Sequence, residues 1–172
     1  MRATTRAVIV VAFVCCLSAV AIVVFRQSRS KPLAEGAGIE FPAAVSQATK
    51  VQLLKDDFRI ITNVSVLPTP VLKAFQEKSG SRSLLANPGA KFNPSDVIWD
   101  ASVPRKRLIL AGASTDRCFV HYEQGGRGRS YVIEVFGLRS GETMEPLWRG
   151  HCTRPADNLE TLRSQITGGG CF

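Results

Sequence analysis

The feature that most restricts this chain is an uninterrupted apolar run near its start: Ala7 to Phe25, AVIVVAFVCCLSAVAIVVF, nineteen residues without a charge. As a helix rising ~1.5 Å per residue it would extend about 28 Å, close to the thickness of a bilayer's hydrocarbon core. Residues 1–26 therefore read as a transmembrane signal anchor. The first 21 residues also carry the parts of a cleaved signal peptide: basic Arg2 and Arg6, apolar Ala7 to Ser18, and Ala19-Val20-Ala21 as an A-x-A site. Ile22 to Phe25 continue the apolar run beyond that site, and Arg26, Arg29 and Lys31 arrive only where a span would end. This favours the anchor over a secreted soluble domain. Cys15 and Cys16 follow Ala12-Phe13-Val14, which lacks the small residues that lipoprotein processing needs beside the cysteine, so both read as ordinary span residues.

Positive charge marks the cytoplasmic flank of a span, but Arg2, Arg6 and the terminal amine nearly balance Arg26, Arg29 and Lys31. A short N-terminal flank before a long domain is the arrangement of a signal anchor with its N-terminus inside. Residues 27–172 are then expected on the outer side. They hold all 14 acids and 19 of the 22 basic residues, a formal charge of +5. Such an excess suits an anionic membrane surface or an acidic partner, and equally an ordinary solvated surface.

Residues 27–41, QSRSKPLAEGAGIEF, are small, polar and glycine-containing without a stable period, and read as a flexible linker. Residues 42–172 then form one globular domain. Ala43 to Leu54 reads as a helix and Asp57 to Val66, rich in β-branched residues, as a strand. The strongest helix signal is the segment from Thr69 to Gly80, with Thr as cap, Pro70 in the first turn, apolar Val71, Leu72 and Phe75, and glycine as the stop. Ser81 to Asp100 reads mostly as loop, with Asn87-Pro88-Gly89 and Asn93-Pro94 as turns. After Pro104, RKRLILAG, RCFVHYE, SYVIEVFGL and MEPLWRGHC succeed one another as four antiparallel strands of a meander. Leu159, Leu162 and Ile166 fall on one stripe of a last helix, Ala156 to Ile166. The fold class is α+β: an N-terminal transmembrane helix, then a small domain with a helix packed on one face of an antiparallel β-meander.

Candidate chemistry gathers in residues 117–137, RCFVHYEQGGRGRSYVIEVFG. A two-residue turn at Gly125-Gly126 or Gly126-Arg127 would place Cys118, Val120 and Tyr122 with Tyr131, Ile133 and Val135, a core face. It would place Phe119, His121 and Glu123 with Val132, Glu134 and Phe136, a mixed face. The glycines are explained by the positive φ of primed hairpin turns. On this register His121 and Glu134 are the candidate catalytic pair, a histidine oriented by a carboxylate. No G-x-S-x-G, H-E-x-x-H or cysteine-nucleophile signature accompanies them.

Glycine-flanked Arg127 and Arg129 are candidate binding residues, as is Trp148; an exposed apolar patch around Trp148 or Trp99 would mark a docking surface. The GGRGR string lacks a phosphate-loop motif and any strand-to-helix context, so no nucleic-acid partner is expected. Cys118 and His121 are three apart on a strand, and His151 and Cys152 adjacent, so within each pair the side chains point to opposite faces; no metal site and no cofactor are expected. Cys118 and Cys152 lie about 17 Å apart along the meander, too far to bond, which leaves Cys118 a buried thiol. Cys152 and Cys171 can pair through the slack of Gly168-Gly169-Gly170, or Cys171 stays free. The sequon Asn63-Val64-Ser65 lies inside an expected strand and reads as chance.

These features point to a non-enzymatic, single-pass anchored protein. Its outer domain would bind a protein or another envelope component through its sheet face or loops. The alternative is a small hydrolase-like enzyme using the His121 face.

Overall fold

The computed structural model describes residues 39–42, 44–76, 83–98, 100–139 and 143–172, all within the compact unit Gly36–Phe172. Residues 7–25, which carry the anchor and signal-peptide readings, lie outside them, as does Trp99. Among the described residues no helix is long and apolar enough to cross a membrane. Ile39 and Phe41 pack on the core, with the Phe41 ring 5.7 Å from that of Phe136, so the packed domain begins within the stretch assigned to the linker.

In chain order the elements are α1 (Gln47–Leu53), β1 (Arg59–Ile61), a 3₁₀ turn (Val64–Val66), α2 (Thr69–Ala74), β2 (Leu85–Ala86), β3 (Lys106–Ala113), β4 (Arg117–Gln124), β5 (Ser130–Arg139), β6 (Thr143–Cys152) and α3 (Leu159–Thr167). The domain is α+β, and its sheet runs β1-β3-β4-β5-β6. Strands β3 to β6 are antiparallel neighbours in sequence order. Along the free edge of β3, β1 lies antiparallel and β2 parallel.

Local chemistry shortens several expected elements. Only Arg59–Ile61 of the 57–66 strand is extended, because the Asn63 side chain accepts the Ser65 N–H at 2.9 Å and opens the 3₁₀ turn. The sequon therefore lies on an exposed turn rather than in a strand. Pro68, with no side-chain cap bond, precedes α2, and Phe75 closes it after six residues. Residues 77–80 of the expected helix lie outside the described residues. Asn158 caps α3, its Oδ1 accepting the Thr161 N–H at 2.8 Å. Ala156 lies before that helix, which starts after the extended Asn158 cap, and its N–H is bonded to His121.

The sheet is buried on both faces, which corrects the one-sided arrangement. One face presents Leu108, Val120, Tyr122, Val132 and Phe136 to Ile61, Leu67, Phe75 and Val71 of α2. The other presents Leu110, Phe119, Ile133, Val135 and Trp148 to Leu162 and Ile166 of α3, with Val51 and Leu53 of α1 packed alongside. Within β3 a register shift between Leu108 and Leu110 serves both cores: two residues apart, they would share a face in a regular strand, and the bulge sends one to each. A second shift, between Val135 and Phe136, sets Trp148 opposite Val135 and Pro146 opposite Phe136.

Candidate functional site

The β4–β5 register runs from Arg117↔Gly137 to Gln124↔Ser130, leaving residues 125–129 as a five-residue connection. A five-residue connection reverses the parity of a two-residue turn, so even positions of β4 share a face with even positions of β5. His121 and Glu134 consequently lie on opposite faces of the sheet, and their expected pairing does not exist. The glycines also have a different purpose. Neither Gly125, Gly126 nor Gly128 has positive φ; that conformation occurs at Gly89 and Gly169. Gly125 is needed for close approach, since a Cβ there would stand 1.9 Å from the carbonyl oxygen of Asn93.

His121, expected on a mixed face, is fully buried. Its Nε2 accepts the Ala156 N–H at 3.1 Å, so Nδ1 carries the proton and donates it to the Val132 carbonyl at 3.0 Å. Burial lowers its pKa from 6.5 to about 4, partly opposed by the Val132 hydrogen bond and by Asp157. A neutral imidazole with both nitrogens occupied ties β4 to β5 and to the segment entering α3. It has no nitrogen left for a substrate proton.

Glu134 is buried on the opposite face, where Tyr122 Oη donates to its Oε1 at 2.7 Å and Arg149 Nε approaches the same oxygen at 3.5 Å. Lys106 Nζ lies 5.4 Å from the centre of the Tyr122 ring and 5.6 Å from that of Phe75. Burial and the neighbouring Glu134 carboxylate hold the Tyr122 hydroxyl well above its ordinary pKa of 10. A carboxylate compensated in this way is a cross-strand brace.

The connection itself belongs to a basic loop end. Glu123, buried on the His121 face, is bonded by Arg107, and Arg129 Nε lies 3.5 Å from its other oxygen. The Phe92 ring sits under both guanidinium groups, 4.4 Å from Arg107 Cζ and 5.9 Å from Arg129 Cζ, as expected of cation–π stacking. Backbone bonds pin three loops together here: Asn93 N–H to Pro104 O at 2.8 Å, Gly125 N–H to Arg105 O at 2.8 Å, and a bridge between Ser95 and Gly126. Arg127 and Arg129 are exposed, as is Lys91, the chain neighbour of Phe92. On the adjoining loop Val97 and Ile98 are 55% and 53% exposed.

Trp148, the third candidate binding residue, is buried on the α1/α3 side with Lys50 Nζ 5.3 Å above its ring, and offers no exposed patch. Cys152 and Cys171 are joined by a disulfide. Beside it, His151 and Phe172 exchange backbone hydrogen bonds of 2.8 and 3.0 Å, so the last residues cover the outer edge of β6 at its C-terminal end. Cys118 is a buried free thiol, its pKa pushed up to about 12 by burial. Among the described residues no group of three or more His, Cys, Asp or Glu side chains is placed to hold a metal. A hollow of about 300 Å³ lies between α1 and α3, where Arg163 is committed to the carbonyl oxygens of Leu54 and Asp56 at 2.7 and 2.6 Å.

Sequence reasoning missed Phe92, Arg107 and Glu123 as one cluster, and Tyr122, Glu134 and Arg149 as another. The acids at 123 and 134 within otherwise apolar strands were the available signal, since a buried carboxylate requires a partner. The chain matches no protein-family model, no curated protein and no solved structure.

Proposed function

We propose that the chain is a single-pass membrane protein whose C-terminal domain is an extracytoplasmic binding domain rather than an enzyme. The Cys152–Cys171 disulfide is the observation that carries this reading, because such a bond persists in an oxidising compartment and is rare in a reducing one. The apolar run of residues 7–25 supplies the anchor. The commitment of both His121 nitrogens to the backbone weighs in the same direction, since the enzymatic alternative depended on that side chain as a base. The binding surface then falls to the loop end of the sheet, where Arg127 and Arg129 are exposed on a connection fixed by its neighbours.

Fractionation of the native host with intact-mass measurement tests the anchor. An uncleaved chain in the membrane fraction supports it. A chain shortened by its first 21 residues and found in the medium or a soluble compartment refutes it and makes the domain a secreted one.

A further inference from the structure

We propose that the loop end of the sheet docks the domain onto the anionic headgroups of the bilayer that anchors it, an inference that rests on the anchored reading above. Two features meet there. The exposed cations Lys91, Arg127 and Arg129 outnumber the exposed Asp96 and Asp100, and the buried Glu123 is already bonded by the partly buried Arg107, so the end has a local cation excess. Beside it Val97 and Ile98 expose more than half of their surface on a loop that the Ser95–Gly126 bridge ties to the arginine connection. Exposed aliphatics flanked by cations are the chemistry of a membrane–water interface: the apolar side chains enter the headgroup boundary while the cations meet lipid phosphates.

The loops are also held for such contact. The backbone bonds at Asn93, Gly125 and Ser95 fix the three segments relative to one another, and Phe92 stacks against Arg107 and Arg129. Little ordering cost is then left for binding. The tether supplies the rest. Residues 26–38, at ~3.3–3.6 Å each, reach at most about 45 Å, so the domain never leaves the neighbourhood of the surface. At the high effective concentration this creates, an attraction too weak to recruit a free protein is enough to orient a tethered one. That combination of tether, cations and aliphatics favours lipid over a separate acidic protein as the occupant.

The test uses the full chain in nanodiscs of pure phosphatidylcholine and of phosphatidylcholine with phosphatidylglycerol, read by amide hydrogen exchange. Exchange at residues 91–98 and 125–129 should slow several-fold in the anionic discs alone, and the protection should vanish in high salt, where charges are screened beyond about 3 Å. Arg127→Glu combined with Val97→Ser and Ile98→Ser alters exposed side chains, so it should remove the protection while exchange within β4 and β5 stays unchanged. Equal exchange in both lipids for a chain that co-elutes with the discs overturns the docking alone. A chain that does not co-elute overturns the anchor and the docking with it. Protection that appears only when an envelope protein extract is added, and not with anionic lipid, assigns the face to a protein and overturns the lipid assignment.

Discussion

His121 Nε2 accepts the backbone N–H of Ala156 at 3.1 Å, a bond between residues 35 apart in sequence that ties β4 to the segment entering α3. The same ring donates to Val132, so a single neutral imidazole joins two strands to the C-terminal helix. Protonation would replace the Nε2 acceptor with a buried cation facing a donor. In the unfolded chain His121 takes up a proton near pH 6.5, and in the fold only near pH 4. Stability from this group is therefore complete above pH 6.5 and lost as the pH falls towards 4, with roughly 3 kcal/mol at stake. Denaturant unfolding measured from pH 7.5 to 4 should show the loss in the native chain. The difference between native and His121→Gln should shrink across the same window, which isolates the contribution of the histidine. A constant difference would contradict the buried neutral ring.

Tyr122→Phe removes the hydroxyl that donates to Glu134 and leaves a buried carboxylate with Arg149 alone. The expected cost is about 1–2 kcal/mol in urea unfolding, with no loss of packing because the rings match in shape. Replacing Tyr122 without measurable cost would show that Glu134 is hydrated rather than braced.

Gly125→Ala forces a methyl group into the Asn93 backbone, a collision no rotamer relieves. Destabilisation of about 2–4 kcal/mol should follow, with raised exchange at Asn93 and Gly126. Gly128→Ala, with nothing within 4 Å of its Cβ, is the control and should cost under about 1 kcal/mol.

Reduction of Cys152–Cys171, or Cys171→Ser, opens a loop spanning a sequence separation of 19. Chain entropy puts the loss at about 3 kcal/mol. Exchange at His151 and Thr153 should rise, because their backbone partners are Phe172 and Gly170. Cys118 should resist iodoacetamide in the native protein, being buried with a thiol pKa near 12, and react only on unfolding.

The meander was legible in the sequence because strands of alternating and continuous apolar residues between turn signals leave few other arrangements. Its faces were not. The hairpin parity depended on how many residues of GGRGR the connection uses, and that is decided by Asn93 and Arg105, distant in sequence, which seize Gly125. His121, Glu123 and Glu134 read as the polar part of a mixed face; their burial becomes affordable only through Ala156, Arg107, Arg129, Tyr122 and Arg149, partners that no local pattern announces. Burial of both faces comes from the continuous apolar runs of β4 and β5, and in β3 the Leu108/Leu110 bulge reverses the periodicity from which faces are read.

The most direct measurement of the central proposal is protease digestion of intact cells or of right-side-out membranes, followed by mass mapping of the chain. Cleavage of residues 27–172 from outside, with residues 1–26 retained in the membrane, is the result for an anchored outer domain. A membrane-bound chain that stays intact until the membrane is permeabilised would place the domain in the cytoplasm, and with it remove both the oxidising compartment and the outer-leaflet docking face.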